Sequence, residues 1–279
     1  MGLRAISGAV GIGSFVLALS ASGGFAADIP AARPVPAKAP VMTPYSWYGF
    51  YIGVQGGYGW GGNAIGWTDG NPLGLTPNFA AGAFPSSIAG DPKGFLGGIQ
   101  YGTNWQFGRF VVGTESDFSY SNIRHRETIV TSVAPFVTFA NTGEQRLKWF
   151  GTTRARAGVL LQDNLLAYGT GGLANGKAEI TTTITAPGAV GVIQPTGTRS
   201  KRLWGWAAGG GLEYAVGSWS AKIEYLHYDL GRLTHSVNDP TVDPTLIVNA
   251  STKFSGDIVR GALSYRFNWT PYDLIFGRR

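Results

Sequence analysis

Nine charged residues fall at alternate positions of short runs that are otherwise apolar or small: Glu115, Asp117, Arg154, Arg156, Glu213, Lys222, Glu224, Arg260 and Arg266. In an extended chain successive side chains point to opposite faces, so charges at i and i+2 share one face. Acids and bases are similar in number, as pairing requires. Facing a narrow interior they would have to pair, because an unpaired buried charge is expensive. Two chemistries are open to them: a salt-bridged network that fills a lumen, or a charged constriction that selects small ions. A barrel of about eight strands leaves room only for side chains, which favours the network.

Other candidates are weaker. Gly169 to Ala174, "GTGGLA", matches the dinucleotide pattern G-x-G-x-x-A. A phosphate-binding turn must open a helix, and the β-branched "KAEITTTIT" follows instead. The three histidines, His125, His227 and His235, have no metal-ligand spacing, and cysteine is absent. A histidine near the rim with Ser121 or Ser236 as nucleophile would suit a lipid-modifying enzyme, but nothing in the sequence orders such a pair. No catalytic, cofactor or metal site is expected. Net charge is a mild +6 with no basic groove, which argues against a nucleic-acid partner.

The elements that must position these charges are strands. The stretch "WYGFYIGVQGGYGWGG" sets Tyr48, Phe50, Ile52, Val54, Tyr58 and Trp60 against glycines and Gln55. Period-two runs recur near 94–108, 110–120, 147–161, 203–217, 219–230 and 257–267, and "LLAYGTGGLANGKAEI" has ambiguous parity. In the 147–161 run Leu147 and Trp149 share the apolar face with Ala155 and Val159. Tight turns at Gly108-Arg109, Gln162 to Asn164 and Gly217-Ser218 alternate with longer connections near 63–93, 121–144, 182–201 and 235–253. That rhythm predicts an all-β fold: an eight-stranded antiparallel up-and-down transmembrane β-barrel with short periplasmic turns and long extracellular loops.

Aromatic residues settle which face is outside. Trp47, Tyr48, Trp105, Phe107, Trp219, Tyr265 and Phe267 gather at one end of the strands, and Tyr58, Trp60 and Trp204 at the other. Two girdles suit a bilayer with two interfaces, so the apolar face meets lipid. Arg4, an apolar run from Ala9 to Leu19 and small residues up to Ala26 have the layout of a secretory signal peptide, with cleavage expected between Ala26 and Ala27. The expected organisation is a signal peptide over 1–26, a Pro/Ala-rich periplasmic linker over 27–46, the barrel over 47–267 and a tail over 268–279.

With "AADIP", "YSWYGFYIG", "GTTRARAGVLL…LLAYGTGGLANG", "AKIEYLHYDLG" and "VRGALSYRF", the chain resembles the alphaproteobacterial outer-membrane immunogenic proteins. The resemblance runs from about Ala27 to Phe267 and implies a porin-like, antigenic barrel related in design to the OmpA transmembrane domain. It implies a location in the outer membrane of a Gram-negative bacterium. Expected partners are outer-membrane lipid and lipopolysaccharide, the outer-membrane assembly machinery, and host or environmental surfaces met by the loops. The expected role is that of a structural surface protein with a plugged lumen; the alternatives are a small diffusion channel and the rim-located enzyme. In one respect the chain departs from the family: "NWTPYDLIFGRR" follows Phe267, and Pro271 favours a tail hanging in the periplasm.

Overall fold

A computed structural model describes residues 45–71, 79–133, 137–186, 195–239 and 243–276. The expected cleavage site and most of the expected linker lie outside these residues. Strands β1 (Gly49–Trp60), β2 (Ile65–Asp69), β3 (Ser87–Ile88), β4 (Lys93–Phe107), β5 (Phe110–Val133), β6 (Val137–Gln162), β7 (Leu165–Thr185), β8 (Thr196–Val216), β9 (Trp219–Asp239) and β10 (Asp243–Arg266) are followed by a one-and-a-half-turn helix, α1 (Pro271–Phe276). Eight of the strands form a ring in the order β1-β4-β5-β6-β7-β8-β9-β10, closed by antiparallel pairing of β1 with β10. Gly108 and Gly217 adopt φ of 61° and 58°, the left-handed conformation that two-residue hairpin turns require.

Strand length is where the fold departs from expectation. β5 to β10 run 21 to 26 residues, roughly 70–85 Å at about 3.3 Å per residue, whereas a bilayer crossing takes about 9–11. Among the described residues, the spans 121–144, 182–201 and 235–253 are therefore mostly strand, not loop. Stretches such as "TIVTSV" and "EITTTIT" keep the β-branched alternation going past the lipid-facing segment. The span 63–93 also differs. β2 continues the line of β1 along β10, with Ala250 opposite Trp67, and β3 pairs with β2. Between them Ala83 and Phe84 fold into the barrel, where the Ala83 carbonyl accepts hydrogen bonds from Thr131 Oγ1 (2.5 Å) and Asn141 Nδ2 (3.3 Å).

Two irregularities realign the inner face. Between Leu147 and Phe150 the β6–β7 register shifts, and β6 turns odd-numbered rather than even-numbered residues inward. Leu147, expected on the lipid face, is consequently buried inside with Ile123 and Phe150. In β9 the same switch occurs at Gly231, whose φ of 82° accommodates the bulge. β7 resolves as even-inward: Leu166, Tyr168, Thr170, Ala174 and Ile180 are buried.

The tail is tied down rather than hanging free. The Trp269 carbonyl accepts the Phe50 N–H (2.8 Å), and the Phe50 ring stacks on Phe267 and Trp269. Thr270 and Asp273 cap α1 reciprocally, with Pro271 at its first position. The Tyr48 phenol donates to Asp273 at 2.7 Å.

Candidate functional site

Eight of the nine alternating charges converge on one layer inside the ring, none of them more than 7% exposed. Arg154 on β6 is at its centre. Its guanidinium donates to Glu115 (2.8 Å) and Asp117 (3.2 Å) of β5, to Glu224 of β9 (3.1 Å), and to Thr152 Oγ1 (2.8 Å). Arg260 on β10 donates to Glu224 (2.7 Å) and Asp117 (3.1 Å). Arg156 donates to Glu213 on β8 (2.6 Å) and lies 4.0 Å over the Tyr168 ring. Lys222 on β9 donates to Glu115 at 2.5 Å. β5 and β9 are four steps apart around the ring in either direction, so this last pair spans the full diameter.

The set holds four carboxylates and four cations, and its charge balances. Arg266 does not join it. Its side chain lies nearer the short-turn end, donating to the Tyr45 hydroxyl (2.8 Å) and the Tyr48 carbonyl (3.0 Å). It shares the inward face of Arg260, opposite Tyr51, but lies six residues further along β10, below the charged layer.

Neutral residues that the charge pattern did not reveal complete the layer. Tyr51 donates to Glu115 (2.7 Å), Tyr168 to Glu224 (2.9 Å), Ser220 to Glu213 (2.6 Å) and Thr152 to Asp117 (2.5 Å). The phase of Tyr51, opposite Ile52 and matching Gln55, was the signal available for it. Both tyrosine rings lie across glycines: a Cβ on Gly102 would collide with Tyr51, and one on Gly211 with Tyr168. The bare face of the strands thus makes space for side chains reaching over from neighbouring strands.

Apolar layers lie on both sides of the charges. Towards the short turns, Trp47, Val111, Leu160, Leu166, Tyr168 and Ala215 pack together. Towards the long hairpins come Leu96, Ile123, Phe150, Leu226, Phe254 and their neighbours, then Ile65, Trp67, Phe84, Ile88, Ile184 and Val248. A cavity of about 10 Å³ lined by Gln145, Leu147, Tyr228 and Phe254 is near the lower limit for a single water.

The aromatic residues divide less neatly than expected. Tyr58, Trp60, Phe107, Trp204 and Trp219 are exposed on the outer face, and Tyr48, Trp105, Tyr265 and Phe267 are half-buried there. Trp47 is 1% exposed and belongs to the interior, where its Nε1 donates to the Asp163 carbonyl (3.0 Å). It precedes β1, so strand parity does not govern its direction.

The remaining motifs resolve as structure. Residues 169–174 sit mid-strand, paired to β6 on one side and β8 on the other, so their amides serve the ladders. His125 contacts Glu127 (3.2 Å), and His227 contacts Asp257 (2.8 Å), which also accepts from Tyr225. His235 points inward while Ser236 points outward to Asn249 (2.6 Å), and Ser121 accepts from the Ile123 N–H. Among the described residues no histidine is hydrogen-bonded to a serine, and no group of three metal-ligating side chains converges.

The outer membrane protein beta-barrel domain matches residues 18–267. The chain is 33% identical to the 31 kDa outer-membrane immunogenic protein of Brucella melitensis biotype 1 over 255 residues, covering 90% of this chain and 97% of that protein. It is 29% identical to the 22 kDa outer membrane protein of Rhizobium leguminosarum bv. viciae, over 69% of this chain and 68% of that one. The structure of the outer membrane protein OprG from Pseudomonas aeruginosa aligns at 12% identity with a TM-score of 0.47, over 79% of this chain and 96% of that one.

Proposed function

The chain belongs to the outer membrane protein beta-barrel family of Gram-negative bacteria, alongside the outer-membrane immunogenic proteins, and from that premise we propose that it is a non-enzymatic surface barrel with a closed lumen. It serves the envelope structurally and presents its long hairpins to the environment. The observation that carries this reading is the Glu115–Lys222 pair, which joins opposite walls of the barrel inside a neutral, hydrogen-bonded layer. A selective pore needs charges that bind an ion weakly enough to release it. Here each carboxylate is already held by a cation or hydroxyl of the protein, and apolar layers stand on either side. Contact with host or environmental surfaces falls to the long hairpins, whose described strands run away from the short turns.

Planar-bilayer recording of the refolded protein, its folding checked by heat-shifted gel mobility, tests the proposal. Silence from folded barrels is the expected result. Reproducible conductance steps would turn the charged layer into a selectivity filter and the protein into a small diffusion channel.

A further inference from the structure

On the outer face, just beyond the girdle formed by Trp60, Trp149 and Trp204, cations stand directly opposite one another on neighbouring strands. Lys93 of β4 pairs in register with Arg124 of β5, and Arg124 with Arg146 of β6. Lys177 of β7 is opposite Arg202 of β8, and Arg232 of β9 opposite Lys253 of β10. Strand parity turns all seven away from the lumen, and all but the half-buried Arg146 are exposed. Like charges directly opposite on one face of a sheet repel and destabilise the pairing. Some relief is local: Lys253 meets Asp229 at 2.8 Å, and Arg202 lies over the Trp149 and Trp204 rings. Among the described residues Lys93, Arg124, Arg146, Lys177 and Arg232 form no ion pair.

The height of this collar says what neutralises it. Lys93 sits opposite Trp60 and two residues from Phe95, where a lipid-facing surface gives way to polar residues. Head groups lie at that level, and aromatic girdles mark it. Anionic head groups attract basic residues at a membrane surface. We propose that this collar is a binding site for the anionic head groups of outer-leaflet glycolipid, each like-charge pair held together by one bridging phosphate or carboxylate. The proposal goes beyond the closed-lumen reading and stands whether or not the lumen conducts.

The test uses the refolded chain in dodecyl maltoside, with diphosphoryl lipid A or phosphatidylcholine as mixed-micelle probes and bound lipid counted by native mass spectrometry. The wild type should retain lipid A in preference to phosphatidylcholine. The triple variant K93Q/R124Q/R146Q should bind lipid A at least about tenfold more weakly, and R232Q/K253Q on the far wall should lose affinity independently. Inorganic phosphate at equal concentration should not displace the lipid. In neutral detergent alone the triple variant should unfold at the same midpoint as the wild type or higher, because the repulsion is gone. Equal lipid A retention by wild type and both variants, equal retention of the two lipids, displacement by inorganic phosphate, or a lower midpoint for a folded triple variant would each overturn the proposal.

Discussion

The two halves of the barrel solve opposite problems with one alternation. In the half near the short turns, Ile52, Val54, Ile99, Leu212, Ile223 and Leu263 point outward and the charges point in. In the half formed by the long hairpins, Thr128–Thr142, Thr181–Thr198 and Thr234–Ser251 hydroxyl pairs line the outside, while Trp67, Phe84, Ile88 and Ile184 fill the inside. The first half is built for lipid outside, the second for water outside, as an ordinary soluble barrel is. The bulges at Leu147–Phe150 and at Gly231 lie where one half passes into the other. A strand pattern therefore reports only that two faces differ, and the solvent at each height decides which face is buried.

Five substitutions probe that contrast. The largest effect is expected for Arg154→Ala, which strips a cation from Glu115, Asp117 and Glu224 together. Removing one partner from a buried ionic set costs about 3–5 kcal/mol, read as a lower unfolding midpoint in detergent and larger than any single hairpin-tip substitution produces. A midpoint equal to that of a hairpin variant would mean the charged layer is solvated. Phe84→Ala should cost about 3 kcal/mol, the range for a large-to-small change in a packed core. The loss should be local to the hairpin half, with faster hydrogen exchange in β2 and in the outer halves of β5 and β6 but unchanged exchange near Arg154. Exchange that quickens uniformly would mean the halves do not open separately.

On the outer face the two halves should answer differently to the same residue. Ile223→Arg should destabilise the barrel in a bilayer by about 2 kcal/mol, whereas Thr234→Arg on the same strand should stay within about 0.5 kcal/mol. Equal penalties would erase the distinction.

The smallest effect concerns His235. Burial, and then the charge of Arg199, hold its imidazole below the usual pKa, against a hydrogen bond to the Gly197 backbone. The folded state then binds fewer protons than the unfolded one as pH falls below 6.5. The contribution is complete above that pH and is lost on acidification. Unfolding midpoints at pH 7.5 and 5.5 should differ less for His235→Gln than for the wild type, and an unchanged difference would remove His235 from the account.

Much of the lower half was legible because lipid and lumen impose opposite chemistry on adjacent residues. Ile223 beside Lys222 and Glu224, or Val259 beside Arg260, gives itself away. β7 did not, since it turns Leu166, Tyr168 and Ala174 inward and mostly Ala167, Gly169 and Gly171 outward, so hydrophobicity does not alternate. The hairpin half reads as loops in the sequence because threonine-rich stretches such as 181–185 are polar, and their inward partners, Thr182 and Ile184, do not form a long apolar series. Trp47 precedes β1, where the period-two rule does not apply, whereas Arg266 obeys the rule and differs only in height, which alternation does not report.

The most direct test of the two-halves account is spin-label accessibility along β9. The chain has no cysteine, so Ile223→Cys and Thr234→Cys can each be labelled alone in the refolded protein in a lipid bilayer. The account predicts that a label at 223 collides more with oxygen than with a water-soluble nickel chelate, and that the order reverses at 234. The same lipid-like order at both positions would place the bilayer along the whole strand and contradict the account.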